Sequence, residues 1–325
     1  MQSHKKLKTY NSYVKPAFFS KKLAKSSLPQ AEKIQKVNDI FIAQSDKFNI
    51  SVPLTSTGNI ILKKSTAKAF KKTSKSKKNT HSLVISLPNK ENSTFTGHAK
   101  VAQDNTVVYE NYQENTDVAV QTFKDSIRIL TILNDADAPN EYKYKINVPS
   151  GGKIEKLKNG SILIFDSNQK LFAGFAPAWA VDKNGQKIPT HYKIEGEELI
   201  QVIEHLSVNT VYPVVADPLY GYDLIDYAYW KPRGGGHTGL HDWILAVKPT
   251  YWARTAGAGS YTVGLSGWYE LYNKFKNNWL RYNLFSMKNQ YICHQQYAFY
   301  KSFWNLDEWR PAVSYMKTVT ALCNP

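Results

Sequence analysis

The residues best suited to chemistry crowd into one stretch, KPRGGGHTGLHDWILAVKPTYWARTAGAG, residues 231–259, with two histidines, an aspartate, two tryptophans and six glycines. His237 and His241 stand four apart, the spacing that puts two imidazoles on one face of a helix and lets them share a zinc ion. A helix is disfavoured directly after three glycines and with Gly239 inside the pair. The residues between the histidines are Thr238, Gly239 and Leu240, so the glutamate that acts as general base in helical zinc sites of this spacing is missing. No metal and no cofactor are therefore expected. In the structural alternative the glycines make a turn, one histidine bonds a carbonyl or carboxylate, and DWILAV enters the core.

Acid–base chemistry would need His237 or His241 oriented by Asp242, but sequence neighbours on a strand point to opposite faces. His294, Glu270, Asp307 and Glu308 are the groups that could converge from elsewhere. No nucleophile stands out. There is no Gly-x-Ser-x-Gly elbow, and TAGAGS lacks the lysine and hydroxyl order of a phosphate-binding loop. Enzymatic activity is not the leading expectation, and a hydrolase built on these histidines is kept as a further alternative.

A different chemistry is offered by WNLDEWRP. Trp304 and Trp309 could form a stacking platform for a sugar ring, with Asp307 and Arg310 bonding its hydroxyls. The alternative is that both rings are core and Arg310 pairs with Asp307 or Glu308.

These groups must be positioned by elements that the patterning divides into three. Residues 1–80 hold 18 lysines against 3 acidic residues, so the net charge of +16 belongs almost wholly to that arm. KKSTAKAFKKTSKSKKNT, with Lys71 and Lys72 at its centre, is nearly pure Lys, Ser and Thr, and the arm is expected to be largely flexible. One amphipathic helix is expected within it, on the spacing of Ile34, Val37 and Phe41. Residues 81–218 change to a period of two. EYKYKINVP sets Tyr142, Tyr144, Ile146 and Val148 against Lys143, Lys145 and Asn147, and Asn159-Gly160 and Asn184-Gly185 mark hairpins. EELIQVIEHL fits a helix at least as well as a strand. The reading is an antiparallel β domain. Residues 219–325 carry seven of the eight tryptophans, with a helix predicted at SGWYELYNKF behind Ser266 and strands at DWILAVKPTYWA and MKTVTALC. The fold class expected is thus a β-rich α+β protein with a basic N-terminal arm, an antiparallel β domain and a small Trp-rich α+β C-terminal module.

No apolar run approaches the ~18 residues that span a bilayer, the longest being LFAGFAPAWAV. MQSHKKLKTY shows no apolar leader run, so the chain is either cytosolic or given without its leader, and secretion is expected. Cys293 and Cys323 could form one disulfide worth about 3 kcal/mol in an oxidising compartment, or could be two buried thiols in a reducing one.

MKNQYICHQQY, SFWNLDEWRP and SYMKTVTALCNP, with AVKPTYWAR and GWYELYNKF upstream, resemble the C-terminal module of secreted Gram-positive proteins known as domain of unknown function 2599. The resemblance covers about residues 219–325. It implies secretion and a Cys293–Cys323 bridge, and it implies no catalytic residues.

The function expected is that of a secreted, extracellular protein acting at a bacterial envelope. Its basic arm would meet the cell wall or an anionic membrane surface, rather than nucleic acid. An antibacterial, bacteriocin-like toxin with an immunity protein as partner is the first form of that expectation. A non-toxic cell-wall or carbohydrate-binding adhesive protein is the second, with Trp304, Asp307, Trp309, Arg310, Lys71 and Lys72 as binding residues.

Overall fold

The computed structural model describes residues 34–45, 48–64, 82–102, 105–221, 223–236, 239, 242–255, 257–276 and 283–325. Lys71, Lys72, His237 and His241 lie outside them.

The described residues open, contrary to the expected helix, with an antiparallel meander: β1 (Gln35–Val37), β2 (Ile40–Gln44), β3 (Phe48–Pro53), β4 (Asn59–Lys64) and β5 (Ser82–Ser86). Asn38, at φ 51°, turns β1 into β2. That turn breaks the helical spacing of Ile34, Val37 and Phe41, and leaves Val37 exposed while Phe41 is buried. On β4 the pattern is plain once lysines are read as the solvent face: Ile60 and Leu62 are fully buried, Ile61 and Lys63 exposed. Residues 34–45 and 48–64 therefore belong to the folded body rather than to a flexible arm.

The main sheet follows. It comprises β6 (Lys100–Ala102), β7 (Thr106–Gln113), β8 (Thr116–Thr122), β9 (Ser126–Leu133), β11 (Lys153–Lys156), β12 (Ile162–Phe165), β13 (Leu171–Phe175), β14 (Trp179–Val181), β17 (Val214–Asp217) and β18 (Leu219–Gly221). Every residue of β8 and β9 is buried, as in central strands covered on both faces. A third sheet places β16 (Glu198–Ile203) between β10 (Glu141–Lys145) and β15 (Thr190–Glu195). EELIQVIEHL is thus a strand, its register fixed by partners on both sides. Tyr142 and Tyr144 of β10 are buried as their alternation required. At the hairpins only the glycines of Asn159-Gly160 and Asn184-Gly185 take positive φ, 88° and 77°.

The last sheet, β19 (Ile225–Pro232), β20 (Trp243–Pro249) and β21 (Trp304–Asp307), carries the helices α1 (Tyr251–Thr255), α2 (Tyr261–Phe275), α3 (Leu284–Tyr297) and α4 (Tyr315–Thr320). Helix α2 starts five residues before the expected Tyr-rich stretch, where Ser260 Oγ accepts the N–H of Val263 at 3.2 Å. Within MKTVTALC, residues 316–320 lie in α4 instead of a strand, and the rest is a turn. Ser314 caps it, and Thr318 is fully buried against its neighbours.

Residues 219–221 pair with β9 and β13, so the β domain ends just past the expected boundary at Pro218. A mixed core of Leu163, Phe165, Leu219, Leu224, Tyr251 and Trp252 joins it to the C-terminal module. The fold is β-rich α+β, with antiparallel sheets, four helices near the C-terminus and one disulfide.

Candidate functional site

Period-two alternation gives the β19–β20–β21 sheet two faces of different character. On the inner face Trp230, Leu245, Val247, Trp304 and Leu306 pack against Trp268, Leu271 and Tyr291 of the helices. On the outer face Tyr227 and Tyr229 stand two apart on β19, 45% and 46% exposed, their rings stacked at 6.3 Å and 23°. Phe303 meets both edge-on, at 5.9 and 6.4 Å. Tyr229 pairs with Ala246 on β20 and Tyr227 with Lys248, so a small residue and a lysine stem lie beside the rings. The Lys248 amine sits 5.1 Å above the Tyr227 ring and 3.6 Å from Asp226, which Lys124 approaches at 3.5 Å. The result is an aromatic strip with cations at one end. Tyrosine supplies broad, stiff contact area at low entropic cost.

The platform expected at Trp304 and Trp309 is not built that way. Trp304 is fully buried, edge-on to Tyr291 at 5.2 Å, and has no free face. Trp309 is half-buried under the Arg233 guanidinium, 4.3 Å from its ring centre. Arg310 Nε lies 2.5 Å from Asp307 Oδ2, and its Nη1 donates to the carbonyls of Asn324 and Pro325 at 3.0 and 3.1 Å. Gln290 completes the cluster by bonding both backbone groups of Asp307, at 2.7 and 2.9 Å. These groups close a loop. Cys293 and Cys323 are disulfide-bonded with a Cα separation of 5.4 Å, covalently tying α3 to the segment after α4.

His237 and His241 lie outside the described residues, and the other acid–base candidates are each held by structural partners. His294 is buried beside Trp304, its Nδ1 2.8 Å from the Gln290 carbonyl, and burial pushes it down to about 4. Asp242 accepts the Gly239 N–H at 3.0 Å and pairs with Arg233 at 3.4 Å. Glu270 accepts the N–H groups of Leu224 and Ile225 at 2.9 and 3.3 Å and pairs with Lys274 at 2.8 Å. Burial, and next the charge of Asp223, raise its carboxyl above the ordinary range. Glu308 is buried, its N–H bonding the Trp243 carbonyl. Among the described residues no group of three or more His, Cys, Asp or Glu could hold a metal ion, and no helix is long and apolar enough to cross a membrane.

The sequence reading missed Tyr227, Tyr229 and Phe303. The available signal was IDYAYWKP, where rings fall on both phases of a two-residue alternation, so one phase must face away from the core.

No curated protein matches the chain significantly. Three solved chains do. One is a mutant glycoside hydrolase family 81 protein from Clostridium thermocellum, at 7% identity and a TM-score of 0.26, over 69% of this chain and 30% of that one. The present chain thus spans under a third of that relative's length. The clear assignment concerns the C-terminal module, whose residues 225–325 match the family described as a protein of unknown function, DUF2599.

Proposed function

We propose that this is a secreted protein that attaches to the glycan of a bacterial envelope through the outer face of its C-terminal sheet. The observation that carries the reading is the stacked pair Tyr227 and Tyr229, half-exposed and backed by Phe303. Sugar rings present flat C–H faces, and two near-parallel tyrosines on one strand offer matching surfaces at low ordering cost. Lys248 beside Tyr227 suits a glycan with anionic substituents. The disulfide fits an oxidising compartment. The lysine-rich arm would add salt-sensitive capture.

Bacteriocin-like killing is proposed only as a consequence of such attachment. Hydrolysis has less support, since His294 is buried and Asp242 is tied to Arg233.

The test is retention of the full chain on purified Gram-positive wall at low and high salt, with survival of intact cells scored in parallel. Retention that persists at high salt and falls about tenfold in a Tyr227→Ala/Tyr229→Ala double variant is expected. Equal retention of that variant would sink the reading, and dead cells in the parallel tubes would support the toxin.

A further inference from the structure

A cleft of about 450 Å3 opens where the turn between β12 and β13 faces α2. It lies on the helix side of the C-terminal module, away from the aromatic outer face. Hydrogen bonds brace the backbone of one wall and helix α2 forms the other. On one wall Asp166 Oδ1 accepts the N–H groups of Asn168 and Lys170 at 2.8 and 2.9 Å, and Gln169 adopts φ 58° between them. On the other, Ser266, Tyr269 and Asn273 form one stripe of α2 at spacings of three and four. Glu270 in that stripe is held by the Leu224 and Ile225 N–H groups.

The charges decide what the cleft suits. Asp223 and Glu270 line it together with Lys170, and Lys274 pairs with Glu270 at 2.8 Å. Asp166, Asp223 and Glu270 stand with Lys170 and Lys274, a mixed set with no cluster of either sign, and the Asp166 and Glu270 carboxylates are already engaged by backbone N–H groups, so the cleft is not built for a charged ligand. What remains is a 53% exposed tyrosine ring and side-chain amides on both walls.

We propose that this cleft is a second, independent binding site that takes a neutral N-acetylated sugar unit. Its volume falls in the range of small-ligand pockets. The Tyr269 ring covers a sugar face. The amides of Asn168 and Asn273 each return the donor–acceptor pair that an acetamido group presents, and the Gln169 amide can bond a sugar hydroxyl. The inference goes beyond the proposed function, because it needs none of Tyr227, Tyr229 or Phe303.

The experiment is a calorimetric titration of the full chain with N,N′-diacetylchitobiose, and with cellobiose as the sugar lacking acetamido groups. Saturation below about 10 mM is expected for the first, weakened about tenfold in Tyr269→Ala and in Asn273→Ala and unchanged in Tyr227→Ala. Both cleft positions are exposed, and Asn168→Ala on the opposite wall supplies a variant that leaves α2 untouched. Absence of saturation, or unchanged affinity in all three cleft variants, overturns the proposal. Equal affinity for cellobiose removes its acetamido part. Loss of binding in Tyr227→Ala moves the sugar to the outer face. Wall retention that survives in the cleft variants keeps the two sites distinguishable.

Discussion

The indole N–H of Trp252 donates to the carbonyl of Gly174 at 3.0 Å, so a side chain of the C-terminal module closes a hydrogen bond inside the β domain 78 residues earlier. The ring fits only because two positions lack side chains. A Cβ on Gly221 would come within 2.4 Å of the indole, and one on Gly174 within 2.7 Å. The two units of the fold are therefore keyed together rather than strung in line.

Gly221→Ala is expected to destabilise the protein by about 2 kcal/mol, the cost of overpacking a filled core. Denaturant unfolding should show the module separating as an earlier transition. An unchanged midpoint with a single transition would mean that the interface yields without cost.

Reduction of Cys293–Cys323, or the double Cys→Ala variant, should cost about 3 kcal/mol, as expected for releasing a loop of 30 residues. Urea midpoints with and without reductant measure it. No loss would show that the Asp307, Arg310 and Gln290 cluster closes the loop unaided.

Trp304 and Trp309 should part company on substitution. Trp304→Ala removes a fully buried ring and should cost about 3–5 kcal/mol. Trp309→Ala gives up chiefly a partly exposed contact with Arg233, worth about 1 kcal/mol. Thermal melts of both variants decide the matter; similar losses would contradict the burial.

His294 gives a pH dependence of defined sign. Its pKa falls from 6.5 unfolded to about 4 folded, so the unfolded chain takes up a proton that the folded chain refuses. Stability contributed by the neutral ring is complete above about pH 6.5 and is lost as pH falls toward 4, by about 3 kcal/mol. Asp217 works oppositely: burial raises its carboxyl despite Arg128 at 2.9 Å, so its contribution fades as pH rises. His294→Gln should flatten the acid limb of a stability profile and Asp217→Asn should steepen it. Parallel changes in both variants would refute the assignment.

How much of this could be read in advance depended on how many forces acted at each segment. β10 was legible because Tyr142 and Tyr144 alternate with lysines and one face alone is buried. β16 was ambiguous because it is covered on both sides, which erases the alternation. α4 was misread because Val and Thr favour strands, and the cap at Ser314 with burial of Thr318 overrides that preference. In the candidate site the composition pointed to aromatic rings, but tryptophan pointed to the wrong ones. The largest rings, Trp304 and Trp252, fill the core, and the smaller tyrosines of β19 are left outside. Which phase of IDYAYWKP faces solvent was settled by pairing with β20 and by the helices beneath, neither visible in a local window.

The bridge between Cys293 and Cys323 also determines where tension can go. Strand β21 lies between the two cysteines, so a pull transmitted along the backbone crosses from one sulfur to the other and bypasses it. Tension applied to the backbone on either side of the bridge would leave that strand unloaded. In single-molecule stretching the intact module should lengthen by roughly 100 Å less than the reduced one, the reach of the roughly 30 residues that the bridge shields.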